Sequence, residues 1–289
     1  NLPKLNLSEK ILTPPNFALS YDGCDNLVLN KNLKNFYKNI YPELKNNFEI
    51  SEIKNEKIKI GFISEFFTDH TIMKLFKGLI YKLNKEKFEV YVFYSDKTLP
   101  GKSLDEIKEN TAIYNYKNVF LPKNFNEKVS IIKNKNLDIL FYTDIHISTN
   151  LYYLTLLRLA KKQITSWGHP ETTGNDKIDY FLSSKLLETK NYKNRYSEQV
   201  LLSNYLPMFF YKPIVSNKLL KEDLSKKNIY SCPQTLIKIH PKFDKIIKKI
   251  LEKDRKAKIF FIKDYDEIFS KLLFFRLKKI LSNNIDRII

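Results

Sequence analysis

The chain has 289 residues, of which 43% are hydrophobic, and it carries a formal net charge of +18. A chain of this length usually divides into two domains, and this fraction of apolar residues is ample for their cores. No apolar run approaches the length of a membrane-spanning helix, and no charged start followed by an apolar core indicates a secretory signal. We therefore expect no membrane partner.

The only two cysteines are Cys24 and Cys232, and neither lies in a CxxC or Cys/His ligand spacing. This pattern disfavours a disulfide framework and a structural zinc site. It fits a reducing compartment, so a cytoplasmic location is expected.

The large positive charge has two interpretations. Lysine interleaved with asparagine and isoleucine is what an AT-rich coding sequence produces, whereas a concentrated excess indicates an anionic ligand. The segment 218–289 holds 19 Lys and Arg against 9 Asp and Glu, so it is the better candidate for a phosphate-facing surface. No basic stripe interleaved with aromatic residues and no nucleic-acid motif occurs, so no specific nucleic acid is expected. A non-catalytic basic binding domain stays an alternative.

The elements predicted along the first part of the chain are those of an α/β fold. Residues 1–53 contain four prolines among short helical patches and are predicted to be a lead-in or linker. From residue 54, strand-like apolar runs alternate with helical stretches, which predicts a mostly parallel sheet covered on both faces. Apolar residues at 3.6-residue spacing from Ile72 to Leu83 predict a helix that packs on this sheet. The predicted strands are 57–64, 88–95, 137–143, 164–168, 180–184 and 199–203.

A second and shorter series begins near Asn228. NIYSCP and 258–264 are predicted strands, an apolar stripe from Phe243 to Leu251 predicts a helix between them, and 267–282 is a further helix. The final DRII is where a third strand would begin. Since two strand–helix units cannot complete a doubly wound domain, we expect domains at 54–217 and 218–289, the second incomplete.

All four histidines follow strand-like runs, at His70, His146, His169 and His240. In open α/β sheets ligands bind outside the carboxyl ends of the strands, so these positions suit a site. The alternative is that each histidine only caps or satisfies a loop.

Three segments are the strongest candidates for chemistry. GFISEFFTDH leads from a strand into a helix, with Asp69 or Thr71 available as N-cap, and places His70 where proton transfer would be needed. WGHPETTG is a stiff loop of small residues that lets backbone approach a ligand, or an ordinary tight connection. PQTLIKIHPKFD places Lys238 at the start of a helix, where a lysine and free amides can meet a diphosphate.

Five blocks in one order resemble the catalytic region of the SPINDLY / O-linked N-acetylglucosamine transferase family, particularly its bacterial members, over about residues 57–264. The blocks are KIKIGFISEFFTDH, LDILFYTDI, WGHPETTG with IDYFLSSKLLE, RYSEQVLL, and CPQTLIKIHPKFD. The resemblance implies an α/β GT-B architecture with two Rossmann-like halves. It also implies metal-independent, inverting transfer of a sugar, N-acetylglucosamine by preference, from a UDP-sugar to protein Ser or Thr, with no cofactor besides that co-substrate. Tetratricopeptide repeats ahead of residue 1 are a further implication.

The resemblance also implies roles for individual residues. His70 falls on the cleft histidine, as base or as organiser of acceptor and sugar, while Lys238 and Gln234 fall on the donor-diphosphate site. The acceptor side of the cleft is assigned to Asp144, His169, Pro170, Thr172, Thr173 and Gly174.

One departure from the family pattern bears on activity. The family's uracil- and ribose-gripping motifs have no counterpart here, so we expect this chain to be an incomplete and inactive fragment. The alternatives within the GT-B class are an N-glucosyltransferase acting on asparagine and a UDP-sugar epimerase.

Overall fold

The computed structural model describes residues 2–50, 52, 54–95, 110–212 and 228–289. The chain forms two compact units, the first consisting of Asn1–Ser20 with Asp25–Lys212 and the second of Tyr21–Cys24 with Pro213–Ile289. Among the helices of the described ranges, none is both long enough and apolar enough to span a lipid bilayer.

The first unit is built on a parallel sheet of seven described strands. They are β1 (Ile58–Ile63), β2 (Phe88–Ser95), β3 (Lys117–Leu121), β4 (Ile139–Tyr142), β5 (Lys162–Thr165), β6 (Tyr180–Ser184) and β7 (Gln199–Ser203). Helices with described bounds in this unit are α1 (Asn16–Leu19), α2 (Leu27–Ile40), α3 (Thr71–Lys82), α4 (Phe125–Lys133) and α5 (Thr149–Thr155). The prediction of a parallel α/β sheet is confirmed.

The order of the strands across the sheet is β3-β2-β1-β4-β5-β6-β7, and every pairing is parallel. The chain therefore runs outward from β1 to β3, then returns to place β4 on the other side of β1. This reversal is the topological switch point of a doubly wound fold, and ligands of such folds bind beside it at the carboxyl ends of the strands.

Successive side chains of a strand point to opposite faces of the sheet, so the core has two layers, one on each face. Ile60 and Phe62 of β1 point to the layer that packs under α3, whereas Ile63 points to the opposite layer. The apolar stripe of α3 is buried as predicted, with Ile72 and Phe76 at 1% and 0% exposure. A sheet buried on both faces requires apolar residues at successive positions, which explains the near-continuous apolar runs of these strands.

Residues 1–53 differ from the expected linker. Tyr37, Ile40 and Tyr41 at the end of α2, with Leu7 and Leu44, are almost fully buried in the layer opposite α3. The segment is needed there because a parallel sheet must be covered on both faces. Its prolines and short patches concealed this role, since no single helix in it carries a long apolar stripe.

The second unit has the predicted strand–helix–strand–helix series. It consists of β8 (Ile229–Cys232), α6 (Asp244–Lys253), β9 (Lys258–Phe261) and α7 (Ile268–Leu281), with β8 and β9 paired in parallel. Ile288 of the final DRII forms a parallel bridge to Ile259, which is where a third strand was expected. Of the predicted stripe on α6, Ile247 and Leu251 are buried, but Ile246 faces solvent.

Helix α7 buries only one side. Leu273, Leu277 and Leu281 lie in the core of the second unit, whereas Leu272 and Phe275 are 60% and 61% exposed. This helix therefore exposes apolar surface on its other side.

Two strands depart from the predictions. β3 was not predicted, because its sequence KNVFL is short and polar at its start, as suits a strand at the sheet edge. β5 was predicted at 164–168 but covers Lys162–Thr165, since the chain turns at Trp167 and Gly168.

Candidate functional site

The loops that follow β1 and β4 form the switch-point edge of the first unit. Glu65, two residues after β1, has its carboxylate buried against the loop after β4. It accepts hydrogen bonds from the Ser148 hydroxyl and, at 2.5 Å, from the Asn150 side-chain amide. Because Ser148 also caps α5 by accepting from the Leu151 amide, one serine fixes both the loop and the helix start. Sequence reasoning missed Glu65, although its place just past a strand was a usable signal.

His70 lies at the start of α3 on this edge and is itself the N-cap. Its Nδ1 accepts from the Ile72 amide at 3.3 Å, so the expectation of Asp69 or Thr71 as cap is wrong. The half-buried ring stacks on Phe66 with centroids 4.7 Å apart. Burial, and then the positive charge of Lys74, lowers the pKa of His70.

These contacts define which form of His70 exists at neutral pH. A lowered pKa keeps the imidazole neutral, and a neutral ring has one N–H. Since Nδ1 accepts the helix amide, that hydrogen resides on Nε2. His70 therefore presents an N–H donor, and the cap role and a site role use different ring nitrogens.

Asp144, two residues after β4, is completely buried. Its Oδ1 lies 2.7 Å from the Thr143 hydroxyl, while Oδ2 meets no hydrogen-bond partner within the described part of the chain. Burial raises the pKa of Asp144 to about 7, against the lowering effect of hydrogen bonds from Thr143 and Ser64. The carboxyl is thus poised to exchange a proton near neutral pH, a property that clusters at functional sites.

His169 follows β5 and is 4% exposed. Its ring packs against His146 of the β4 loop, with centroids 4.9 Å apart. The preceding Gly168 makes this possible, because a Cβ there would lie 1.5 Å from the Thr143 carbonyl oxygen. The His169 loop and the Asp144 loop are therefore in contact. The contact is made by the buried rings of His169 and His146, and these rings do not line an open cleft.

Thr172 and Thr173 point inward. Both hydroxyls bond to the buried carboxylate of Glu198, with Thr172 Oγ1 at 2.7 Å, and the Thr173 amide donates to it at 2.7 Å. Gly174 follows with φ +63°, a conformation that glycine adopts without strain. Pro170 is exposed. A buried carboxylate needs donors, so this part of the loop serves Glu198, a residue that sequence reasoning missed.

Lys238 and Gln234 lie in the second unit, and both are exposed. Lys238 ends a short 3-10 turn, six residues before α6 begins, so its predicted position at the helix start is wrong. The cause is Pro241, which holds His240 extended and interrupts the helix. The Lys238 ammonium instead lies 5.1 Å from the centroid of the Tyr21 ring.

The first turn of α6 is occupied by an ion pair that sequence reasoning missed. The Asp244 carboxylate is 1% exposed and accepts bonds of 2.7 and 3.0 Å from Arg276 of α7. Arg276 also donates to the Ile239 carbonyl, so it ties the turn that carries Lys238 to both helices.

Across the described ranges, no three or more His, Cys, Asp or Glu side chains gather in a way that could hold a metal ion.

Comparison with solved structures identifies the fold. A mutant of the Thermobaculum terrenum O-GlcNAc transferase superposes with a TM-score of 0.76 at 18% identity, covering 94% of this chain and 52% of that one. This chain thus spans about half the length of that structure. A Listeria monocytogenes protein assigned as a UDP-N-acetylglucosamine 2-epimerase gives a TM-score of 0.36 at 13% identity, over 81% of this chain and 68% of that one. This TM-score is too low to support an argument. The doubly wound sheet and the first match define a glycosyltransferase-type GT-B fold.

The model of glycosyl transferase family 41 matches residues 25–246, which is most of the chain. The chain belongs to this family. No curated protein sequence matches it.

Proposed function

We propose that this protein transfers N-acetylglucosamine from UDP-N-acetylglucosamine to serine or threonine hydroxyls of proteins, with inversion and without a metal ion. The observation that carries the proposal is His70, a neutral imidazole held at the start of α3 beside the switch point. The family match supports a nucleotide-sugar donor, and the similarity to the structure of an O-GlcNAc transferase motivates the choice of sugar and acceptor.

Of the two roles considered for His70, the hydrogen-bond pattern favours organiser over base. With Nδ1 accepting the Ile72 amide, the Nε2–H can donate to an oxygen of the acceptor or of the sugar. To act as a base through Nε2, the ring would first have to give up this hydrogen and the cap. Orientation of reacting groups by fixed donors is a recognised source of rate enhancement.

Lys238 is the proposed cation for the departing diphosphate. Negative charge grows on that group as the glycosidic bond breaks, and an exposed ammonium on a turn braced by Arg276 can stabilise it. Because α6 begins six residues later and its first turn is engaged by Asp244, we assign the charge stabilisation to Lys238 without the helix amides.

We also propose that the 289-residue chain, expressed by itself, does not turn over. The described part of its second unit has a two-stranded sheet, which offers few strand ends on which to build a nucleotide site.

Two His70 variants test the proposal in protein expressed from the whole reading frame. His70→Asn keeps an N-cap acceptor, so it should lose transfer by at least roughly tenfold with little change in melting temperature. His70→Ala should lose transfer equally and also lose the cap, which costs about 1 kcal/mol of stability. Thr71→Ala, an exposed neighbour, is the matched control. Normal transfer by His70→Asn would show that the histidine is only a cap.

A further inference from the structure

A small pocket in the first unit lies between the α1 segment and the loop after β4. It has a volume of about 250 Å³ and is lined by Thr13, Pro14, Asn16, Phe17, Ile145, His146, Ile147, Ser148, Thr149 and Tyr152. None of the residues in this described lining carries a charge at neutral pH, so the pocket lacks a partner for a phosphate or a carboxylate.

Four polar side chains in this lining are almost fully buried: Asn16, Tyr152, Ser148 and His146, at 1%, 2%, 3% and 6% exposure. Within the described part of the chain, the Asn16 Oδ1, the Tyr152 hydroxyl and the His146 Nδ1 have no hydrogen-bond partner. A buried polar atom without a hydrogen-bond partner destabilises the folded protein, so three such atoms around one pocket require an explanation.

A hydrogen-bond network determines which atoms of Asn16 and His146 donate and which accept. The Thr172 carbonyl can only accept, so Asn30 Nδ2 (3.0 Å) and His146 Nε2 (3.2 Å) must both donate to it. The Asn30 oxygen is thereby turned to Asn16, which donates through Nδ2 at 2.8 Å. The atoms left over are the Asn16 oxygen and His146 Nδ1, which are both acceptors.

The protonation state of His146 agrees with this direction. Burial lowers the pKa of His146 to about 4, although the bond to the Thr172 carbonyl opposes the shift. The ring is therefore neutral at pH 7, and its Nδ1 carries a lone pair. The pocket offers two oriented acceptors and the Tyr152 hydroxyl, which can donate or accept.

From this lining we infer that the pocket binds a neutral, hydroxyl-bearing small molecule of monosaccharide size. Hydroxyls supply the donors that the oriented acceptors require, and Pro14, Phe17 and Ile147 offer apolar surface to the C–H faces of a sugar ring. The volume equals roughly eight water molecules and lies just below the range of drug-sized ligand sites, which fits one sugar ring. The inference does not depend on the proposed function and holds whether or not the chain transfers a sugar.

Ligand-observed NMR titration of the 289-residue chain tests this inference, with glucose and N-acetylglucosamine as probes and glucose 6-phosphate as the charged comparison. We expect saturable binding of a neutral sugar, about tenfold weaker binding to Tyr152→Phe, which lacks one hydroxyl, and no binding to Thr13→Trp, which blocks the exposed rim. Tyr142→Phe, a buried tyrosine outside the lining, should bind like the unmodified chain.

Three results would overturn the inference. The first is a folded chain that binds neither neutral sugar. The second is binding that both Tyr152→Phe and Thr13→Trp leave unchanged, which would place it elsewhere. The third is tighter binding of glucose 6-phosphate than of glucose. Circular dichroism of each variant establishes that it is folded, and Thr13→Trp lies at an exposed position where it should not disturb the core.

Discussion

The pKa of Asp144 predicts a specific pH dependence of stability. The pKa of this carboxyl rises from 3.8 when exposed to about 7 when buried in the folded protein. Between these values the folded state holds a proton that the unfolded state has released, so each pH unit lowers the free energy of unfolding by about 1.4 kcal/mol. The protonated form is therefore the stabilising one. Its contribution is complete below pH 3.8 and is lost as the pH rises to 7.

Asp144→Asn removes this titration while keeping the shape of the side chain. From pH 5 to pH 8 the unmodified protein should lose roughly 3 kcal/mol more stability than the variant, because only the two pH units up to the folded pKa contribute. Urea unfolding at both pH values measures the difference, and other titrating groups cancel in the comparison. At pH 5 the variant can be the less stable protein, since its amide hydrogens find few acceptors. Equal pH slopes for the two proteins would refute the assignment of a raised pKa to Asp144.

Three further predictions follow from particular contacts. Lys238→Ala should weaken UDP binding by the protein expressed from the whole reading frame about tenfold, as measured by calorimetry, whereas Lys242→Ala should bind UDP like the unmodified protein. Equal UDP affinities of Lys238→Ala and the unmodified protein would remove Lys238 from the donor site. Gly168→Ala should lower the free energy of unfolding by about 3 kcal/mol or more in urea denaturation, because the added Cβ would meet the Thr143 carbonyl. The control Pro170→Ala, at an exposed position, should cost little, and a Gly168→Ala protein of normal stability would contradict the close approach. Phe275→Glu on the exposed side of α7 should reduce self-association in light scattering, and unchanged scattering would show that this surface is not responsible.

The architecture of the first unit was largely predictable, because strands buried on both faces leave continuous apolar runs. The helix that packs on β1 was visible in its spacing from Ile72 to Leu83. His70, His146 and His169 do lie in the loops after strands, whereas His240 lies beyond the turn Leu236–Lys238. The role of residues 1–53 was not predictable. Tyr37 and Tyr41 bury against Tyr153, more than a hundred residues away, and local sequence does not record such contacts.

The site was predicted in position more than in detail. The loops after β1, β4 and β5 were identified, but the orientation of each side chain depends on distant partners. Thr172 and Thr173 turn inward because the buried Glu198 carboxylate requires hydrogen-bond donors. Glu198 lies 26 residues after Thr172 and 25 residues after Thr173. His70 became its own helix cap, an arrangement that the preference for Asp and Thr as caps did not favour.

Analysis of the reaction product tests the central claim most directly. Protein expressed from the whole reading frame should be incubated with UDP-N-acetylglucosamine and a protein acceptor, and the product examined by peptide mass spectrometry and NMR of the new linkage. We predict N-acetylglucosamine on serine or threonine oxygen, with the anomeric configuration inverted relative to the donor, and at least roughly tenfold less of this product with His70→Asn. Sugar attached to asparagine, retained configuration, or an epimerised nucleotide sugar with an unmodified acceptor would contradict the account.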